Sequence, residues 1–128
     1  MRVFFDTHTL LWALYEPASL SWKAEAIIAK QSNTILVSAA SAWEIATKVR
    51  LGKLPQAEQL EREFEEKMDQ AGYTLVSIDT ASALRAGRFL SEHGDPFDRM
   101  IAAQALAEDI PVISSDTKLD TFGIRRIW

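Results

Sequence analysis

The sequence predicts an α/β fold: three layers, with helices on both faces of a central, mostly parallel sheet. Three observations lead there. Short apolar runs rich in β-branched and aromatic residues alternate with longer stretches whose apolar positions recur at helical spacing. Several of these runs stop at an acid or a hydroxyl that can cap the helix after it, so strand, turn and helix succeed one another directly. Strand-helix alternation along a whole chain implies right-handed crossovers and strands that run the same way. With 128 residues, 48% of them hydrophobic, no internal repeat and no linker, the chain has material for one core. A single domain over residues 1–128 is expected.

Arg2 to Phe5 is an apolar run stopped by Asp6, and Thr7 to Leu14 continues as a helix. Pro17-Ala18-Ser19 breaks the chain, Ser19 or Ser21 can cap a second helix, and Leu20, Ala24, Ile27 and Ile28 mark its inward face. Thr34 to Ser38 is a second strand. Ala39 to Arg50 is a helix with Ala42, Ile45, Ala46 and Val49 inward, ended by Gly52. After Leu54-Pro55, one peripheral polar helix is expected to run to Gln70, with Ala57, Leu60, Phe64, Met68 and Ala71 on its apolar stripe. Tyr73 to Ile78 is a third strand, and Asp79 caps a helix from Thr80 to Leu90. Asp95 and Pro96 are suited to the N-cap and first position of a helix whose small residues, Ala102, Ala103, Ala105 and Ala107, allow close approach to a sheet. Ile110 to Asp116 is again an apolar strand ending in an acid, and Gly123 to Ile127 is a short last strand.

Composition excludes several chemistries. There is no cysteine, so disulfides, thiolate catalysis and zinc-thiolate sites are ruled out, and His8 and His93 are the only nitrogen donors among side chains that favour metals. A metal bound here is hard and held by oxygen, hence magnesium or manganese. No apolar run is long enough to cross a bilayer and the amino terminus enters structure at once, so a cytoplasmic protein without a membrane partner is expected. The formal net charge of −4 gives no general attraction to nucleic acid.

Ligands in parallel α/β folds bind beyond the carboxyl ends of the strands. Asp6 and Asp116 stand at such ends, while Glu44 and Asp98 are expected in the first turns of helices that begin on the same edge. Each acid alone reads as a cap: Ser41 to Glu44 fits a capping box, Glu44 can pair with Lys48 one turn on, and Asp98 can complete a box with Asp95. Together, four carboxylates on one edge repel one another, and a divalent cation relieves that.

Four segments carry a family resemblance: Phe5 to Trp12; Val37 to Ala46 with Lys48 to Leu54 behind it; His93 to Ala105; and Val112 to Asp116. With them the chain resembles the PIN-domain ribonucleases, and most closely the VapC-type toxins of bacterial toxin-antitoxin pairs. Asp6, Glu44, Asp98 and Asp116 match the family's four acids in order, and Asp95 matches an extra acid of this subgroup. Gly94 departs from a position where relatives often carry a basic residue, and Ser114 replaces a common threonine while keeping its hydroxyl. The resemblance implies a Mg²⁺- or Mn²⁺-dependent endoribonuclease, with Asp6, Asp98 and Asp116 holding the metal and Glu44 holding or orienting a water. It also implies an RNA substrate, an antitoxin partner laid over helices carrying Trp12, Trp22 and Trp43, and a homodimer. Lys48 and Arg99 are candidate RNA contacts. A PIN nuclease of RNA processing and a non-catalytic binding module are the alternatives. A receiver domain does not fit, since Asp6 is a single acid and no lysine comes after the last strand. A haloacid-dehalogenase-like phosphatase does not fit either, because His8 stands where its second aspartate belongs.

Overall fold

The computed structural model of the chain describes every residue from Met1 to Trp128. Its middle layer is a sheet of five strands, β1 (Arg2–Phe5), β2 (Thr34–Ser38), β3 (Thr74–Val76), β4 (Val112–Ile113) and β5 (Arg126–Ile127), in the order β3-β2-β1-β4-β5. Every pairing is parallel, so all five carboxyl ends emerge on one edge. The chain moves outward from β1 to β3 and then returns to the far side of β1. The order therefore reverses between β1 and β4, and there the loops part to leave a crevice. Asp6 directly succeeds β1, and Asp116 lies just beyond β4.

Strand alternation divides the apolar residues between two faces. Val3, Phe5, Ile35, Val37 and Ile113 join one buried cluster, whereas Phe4, Leu36 and Val112 join another. The first is completed by α1 (Thr7–Tyr15), α2 (Trp22–Ala29), α3 (Ala39–Arg50), α4 (Glu58–Arg62) and α5 (Phe64–Ala71). The second is covered mainly by α7 (Pro96–Ala107), through Ile101, Ala102 and Ala105. Helix α6 (Thr80–Arg88) packs against α7.

Some elements depart from expectation. The helix expected from Leu54-Pro55 to Gln70 is broken into a 3-10 turn at Pro55–Ala57 and the short helices α4 and α5, with Glu63 leaving helical geometry between them. Nor is it peripheral: Ala57, Leu60, Phe64 and Met68 are part of the first core cluster, while Ala71 is exposed. The third, fourth and fifth strands are shorter than their apolar runs, and α6 stops at Arg88. Helix α3 starts directly from β2 with Ser38 as N-cap, its hydroxyl accepting from Ala40 N–H at 3.0 Å. Glu44 consequently lies in the second turn, and no capping box forms at Ser41, whose hydroxyl instead accepts from Thr7 Oγ1 at 3.0 Å.

Candidate active site

Asp6 is 5% exposed and caps α1, its Oδ1 accepting from Thr9 N–H at 2.9 Å. Its Oδ2 accepts from Ser114 Oγ at 2.5 Å, across the crevice between β1 and β4. Ser114 also accepts from Asp116 N–H at 3.0 Å, so one hydroxyl joins the first acid to the loop of the last. Thr9 Oγ1 donates to Ile113 O at 2.9 Å and closes the same junction. Glu44 is 4% exposed, and its Oε2 lies 2.5 Å from Lys48 Nζ, one helical turn on.

Asp95 is the N-cap of α7 and accepts from Phe97 and Asp98 N–H at 2.8 and 3.1 Å, with Pro96 at the first helical position where no donor is needed. Asp98 does not return a bond to Asp95. Its Oδ2 instead meets His93 Nε2 at 2.9 Å. Burial pushes the Asp98 carboxyl up to about 6; the His93 hydrogen bond opposes the rise, and the charges of Asp95, Glu44 and Asp6 add to it. Asp98 thus lies in the field of Asp6, Glu44 and Asp95, and Asp116 is joined to Asp6 through Ser114. Asp116 caps the 3-10 helix Thr117–Phe122, accepting from Lys118 N–H at 3.0 Å.

Residues 3–124 match the family model of the PIN domain. The chain belongs to the PIN domain family. A stretch of 59 residues is 44% identical to Ribonuclease VapC16 of Mycobacterium tuberculosis, covering 46% of this chain and 42% of that protein's length. Among solved structures the chain is similar to VapBC2 from Rickettsia felis, described as bound to a promoter DNA fragment, with TM-score 0.67 and 15% identity over 99% of this chain and 98% of that one. It is also similar to VapBC-1 from nontypeable Haemophilus influenzae, with TM-score 0.63 and 18% identity over 99% and 97%. At these identities the likeness is one of fold.

The PIN domain acids offer oxygen donors only, the set a hard cation takes. As the side chains stand, no three of the His, Asp and Glu groups converge to enclose an ion, each carboxylate being turned to a local partner. What fits a cation is the charge. Burial is the main cause of the raised proton affinity of Asp98, and the negative charges of Asp95, Glu44 and Asp6 add to it, so a cation there would meet charge of the right sign.

One expected role is corrected. Arg99 is not free for a phosphate: its Nε donates to Ala86 O, Nη1 to Ser91 O and His93 O, and Nη2 to Phe89 O and Gly87 O, at 2.6–3.5 Å. It closes the carboxyl end of α6 and the loop after it, where a cation also suits the helix dipole. Trp22 and Trp43 are exposed, while Trp12 is half-buried; Trp43 pairs edge-on with Phe97 at 4.7 Å and Trp12 packs against Trp128 at 5.7 Å. Trp12 and Trp43 thus belong to separate aromatic pairs. Lys48 serves Glu44 first. His93 escapes a sequence-based reading of the site because its contact depends on a loop five residues upstream of Asp98, and spacing alone does not orient an imidazole. No helix is long and apolar enough to cross a membrane.

Proposed function

We propose that this PIN domain is a metal-dependent endoribonuclease of the VapC type, the toxin of a toxin-antitoxin pair. The observation that carries the proposal is a part-buried Asp98 in the field of Asp6, Glu44 and Asp95, with Asp6 joined through Ser114 to Asp116 across the crevice between β1 and β4. Asp6, Asp98 and Asp116 would hold Mg²⁺ or Mn²⁺. When bound, such an ion supplies a more acidic water and neutralises charge developing on the leaving oxygen of a phosphodiester. The chain's own groups do the rest. Thr9 N–H and Ser114 Oγ fix both oxygens of Asp6, and His93 fixes one oxygen of Asp98. Lys48 holds Oε2 of Glu44, which leaves Oε1 to accept a hydrogen bond from the attacking water and orient it. No side chain need act as a nucleophile.

The similarity to VapBC complexes supports an antitoxin partner that covers this edge and meets the surface carrying Trp12, Trp22 and Trp43. A homodimer and a cytoplasmic location belong to the same reading. The test is cleavage of single-stranded and structured RNA by the purified chain in Mg²⁺, Mn²⁺ or EDTA, beside Asp6→Asn and Glu44→Gln. Cleavage is expected with metal only, and both variants are expected to fold and to lose roughly a hundredfold or more in rate, the scale of a lost general-base or metal-ligand role. Equal cleavage in EDTA would overturn the metal mechanism, and normal turnover in both variants would overturn the site.

A further inference from the structure

A cavity of about 600 Å³ opens at the edge of the site, lined by none of the site's acids. It shares its border with the site: Thr7, next to Asp6, lines it, and so does Lys48, the partner of Glu44. Trp12 and Tyr15 of α1 form an aromatic wall, and Trp12 is braced by Trp128 at 5.7 Å. Lys53 adds a second ammonium group.

We propose that this cavity is a subsite for one nucleotide of the RNA strand flanking the cleaved bond, its base stacked on Trp12 and its phosphate set against Lys48 and Lys53. The inference rests on the nuclease reading above and adds where the strand is gripped. Stacking needs a flat, partly desolvated ring that does not have to be ordered on binding, and a half-buried tryptophan braced by a second one meets that need. The strand needs cations wherever its phosphates pass, and most of all here, because the net charge of −4 and the crowd of carboxylates repel it. Lys53 supplies one, and Lys48, already paired with Glu44, has two further ammonium hydrogens to share with a phosphate. Glu16 also lines the cavity and keeps its charge, its carboxylate accepting from Ser19 Oγ, but it is ion-paired with neither lysine. An apolar protein segment in the same place would cover the Lys53 ammonium group, which has no ion-pair partner in the chain, without bringing it a counter-charge. A strand carrying a phosphate at every residue matches both the rings and the charges.

The experiment measures binding of a single-stranded oligoribonucleotide of mixed sequence in EDTA, and sequences the cut sites made on total RNA in Mg²⁺. Trp12→Leu, Tyr15→Ala and Lys53→Ala are compared with the wild-type chain, with melting curves for each. Trp12→Leu is expected to weaken binding roughly tenfold and to flatten the base preference at one position beside the cut. Lys53→Ala is expected to weaken binding a few-fold and to lower its salt dependence. In steady state, each is expected to raise KM by a larger factor than it lowers kcat. Tyr15 and Lys53 are exposed, so their variants test the idea even if Trp12→Leu does not fold. Wild-type affinity and an unchanged cut-site profile in both exposed variants would overturn the subsite while wild-type cleavage keeps the nuclease reading intact, and a cavity used by a protein partner alone gives that same pattern. Absence of RNA cleavage by the wild-type chain itself would remove the nuclease reading and the subsite together.

Discussion

Asp98 and Arg99 leave α7 from adjacent positions and meet opposite surroundings. Arg99 reaches five main-chain carbonyls of residues 86–93 and uses its guanidinium as a latch on the end of α6. Asp98 receives one imidazole bond and faces three further carboxylates. A charge whose partners are all supplied by the fold is structural, whereas one left crowded by its own sign is a cost that the fold alone does not explain. Such costs collect at functional sites, where stability is given up for chemistry. The two residues are also linked. By holding His93 O, Arg99 anchors the loop from which the His93 ring reaches Asp98.

The largest effect expected from this contrast is on the satisfied side. Arg99→Ala removes donors from several carbonyls at once, and an unmade hydrogen bond at a part-buried group costs about 1–3 kcal/mol. Because water replaces some of the donors, a total loss of about 2–4 kcal/mol is expected in urea unfolding. Arg99→Lys should recover less than half of it, since an ammonium group cannot fork between carbonyls on both sides. A loss below about 0.5 kcal/mol for Arg99→Ala, the range of ordinary surface changes, would mean that the latch contributes little and that the contrast is only apparent.

On the crowded side the sign reverses. Asp98→Asn gives up a favourable charge near the start of α7, a loss of about 0.3–1 kcal/mol. It also removes a desolvated carboxylate from beside three others, and the second effect is expected to win, leaving the metal-free variant about 1 kcal/mol more stable than wild type at pH 7. Asparagine keeps an oxygen for His93, so the loop is not released. Millimolar Mg²⁺ should raise the melting temperature of the wild-type chain, because a ligand of the native state stabilises it by mass action, and should raise that of the variant much less. Four melting curves, two proteins with and without EDTA, decide the matter. A variant less stable than wild type in EDTA with an undiminished Mg²⁺ response would make Asp98 a helix-start residue and nothing more.

The crowded side is legible in the sequence and the latch is not, for a physical reason. Asp6, Asp95 and Asp116 each sit where a strand or loop passes into a helical turn, and that position alone selects a capping carboxylate and an edge of the sheet. Arg99 meets carbonyls 6 to 13 residues upstream, on another helix and its loop, and no local pattern marks those partners. Sequence alone puts Glu44 a turn too early because Ser38 and Ser41 are equally good caps by type. Ser38 prevails because β2 runs straight into α3 and its hydroxyl is anchored by Gln104 Oε1. The break at Glu63 carries no proline or glycine, so an apolar stripe that continues through it conceals it.

The smallest expected effect sharpens the contrast most, because it isolates the proton on Asp98. The folded carboxyl titrates at about 6 against an ordinary value of 3.8. Between those pH values the native chain holds a proton that the unfolded chain has released, so stability falls as pH rises through the window and levels off above it. Below about pH 4 both states are protonated and the penalty is absent. Other carboxylates titrate in the same range, and the informative quantity is therefore the difference between Asp98→Asn and wild type in EDTA. Comparing the two in a His93→Gln background removes the imidazole's own protonation while keeping a donor for residue 98. A full shift would give a slope of about 1.4 kcal/mol per pH unit, which partial solvation of the side chain reduces to about 0.5. The advantage of the variant should accordingly be near zero at about pH 4, grow to about pH 6 and stay constant to about pH 8. Parallel stability curves for the two proteins across that range would show that Asp98 carries no excess proton affinity, and the crowding of the acids would no longer distinguish it from Arg99.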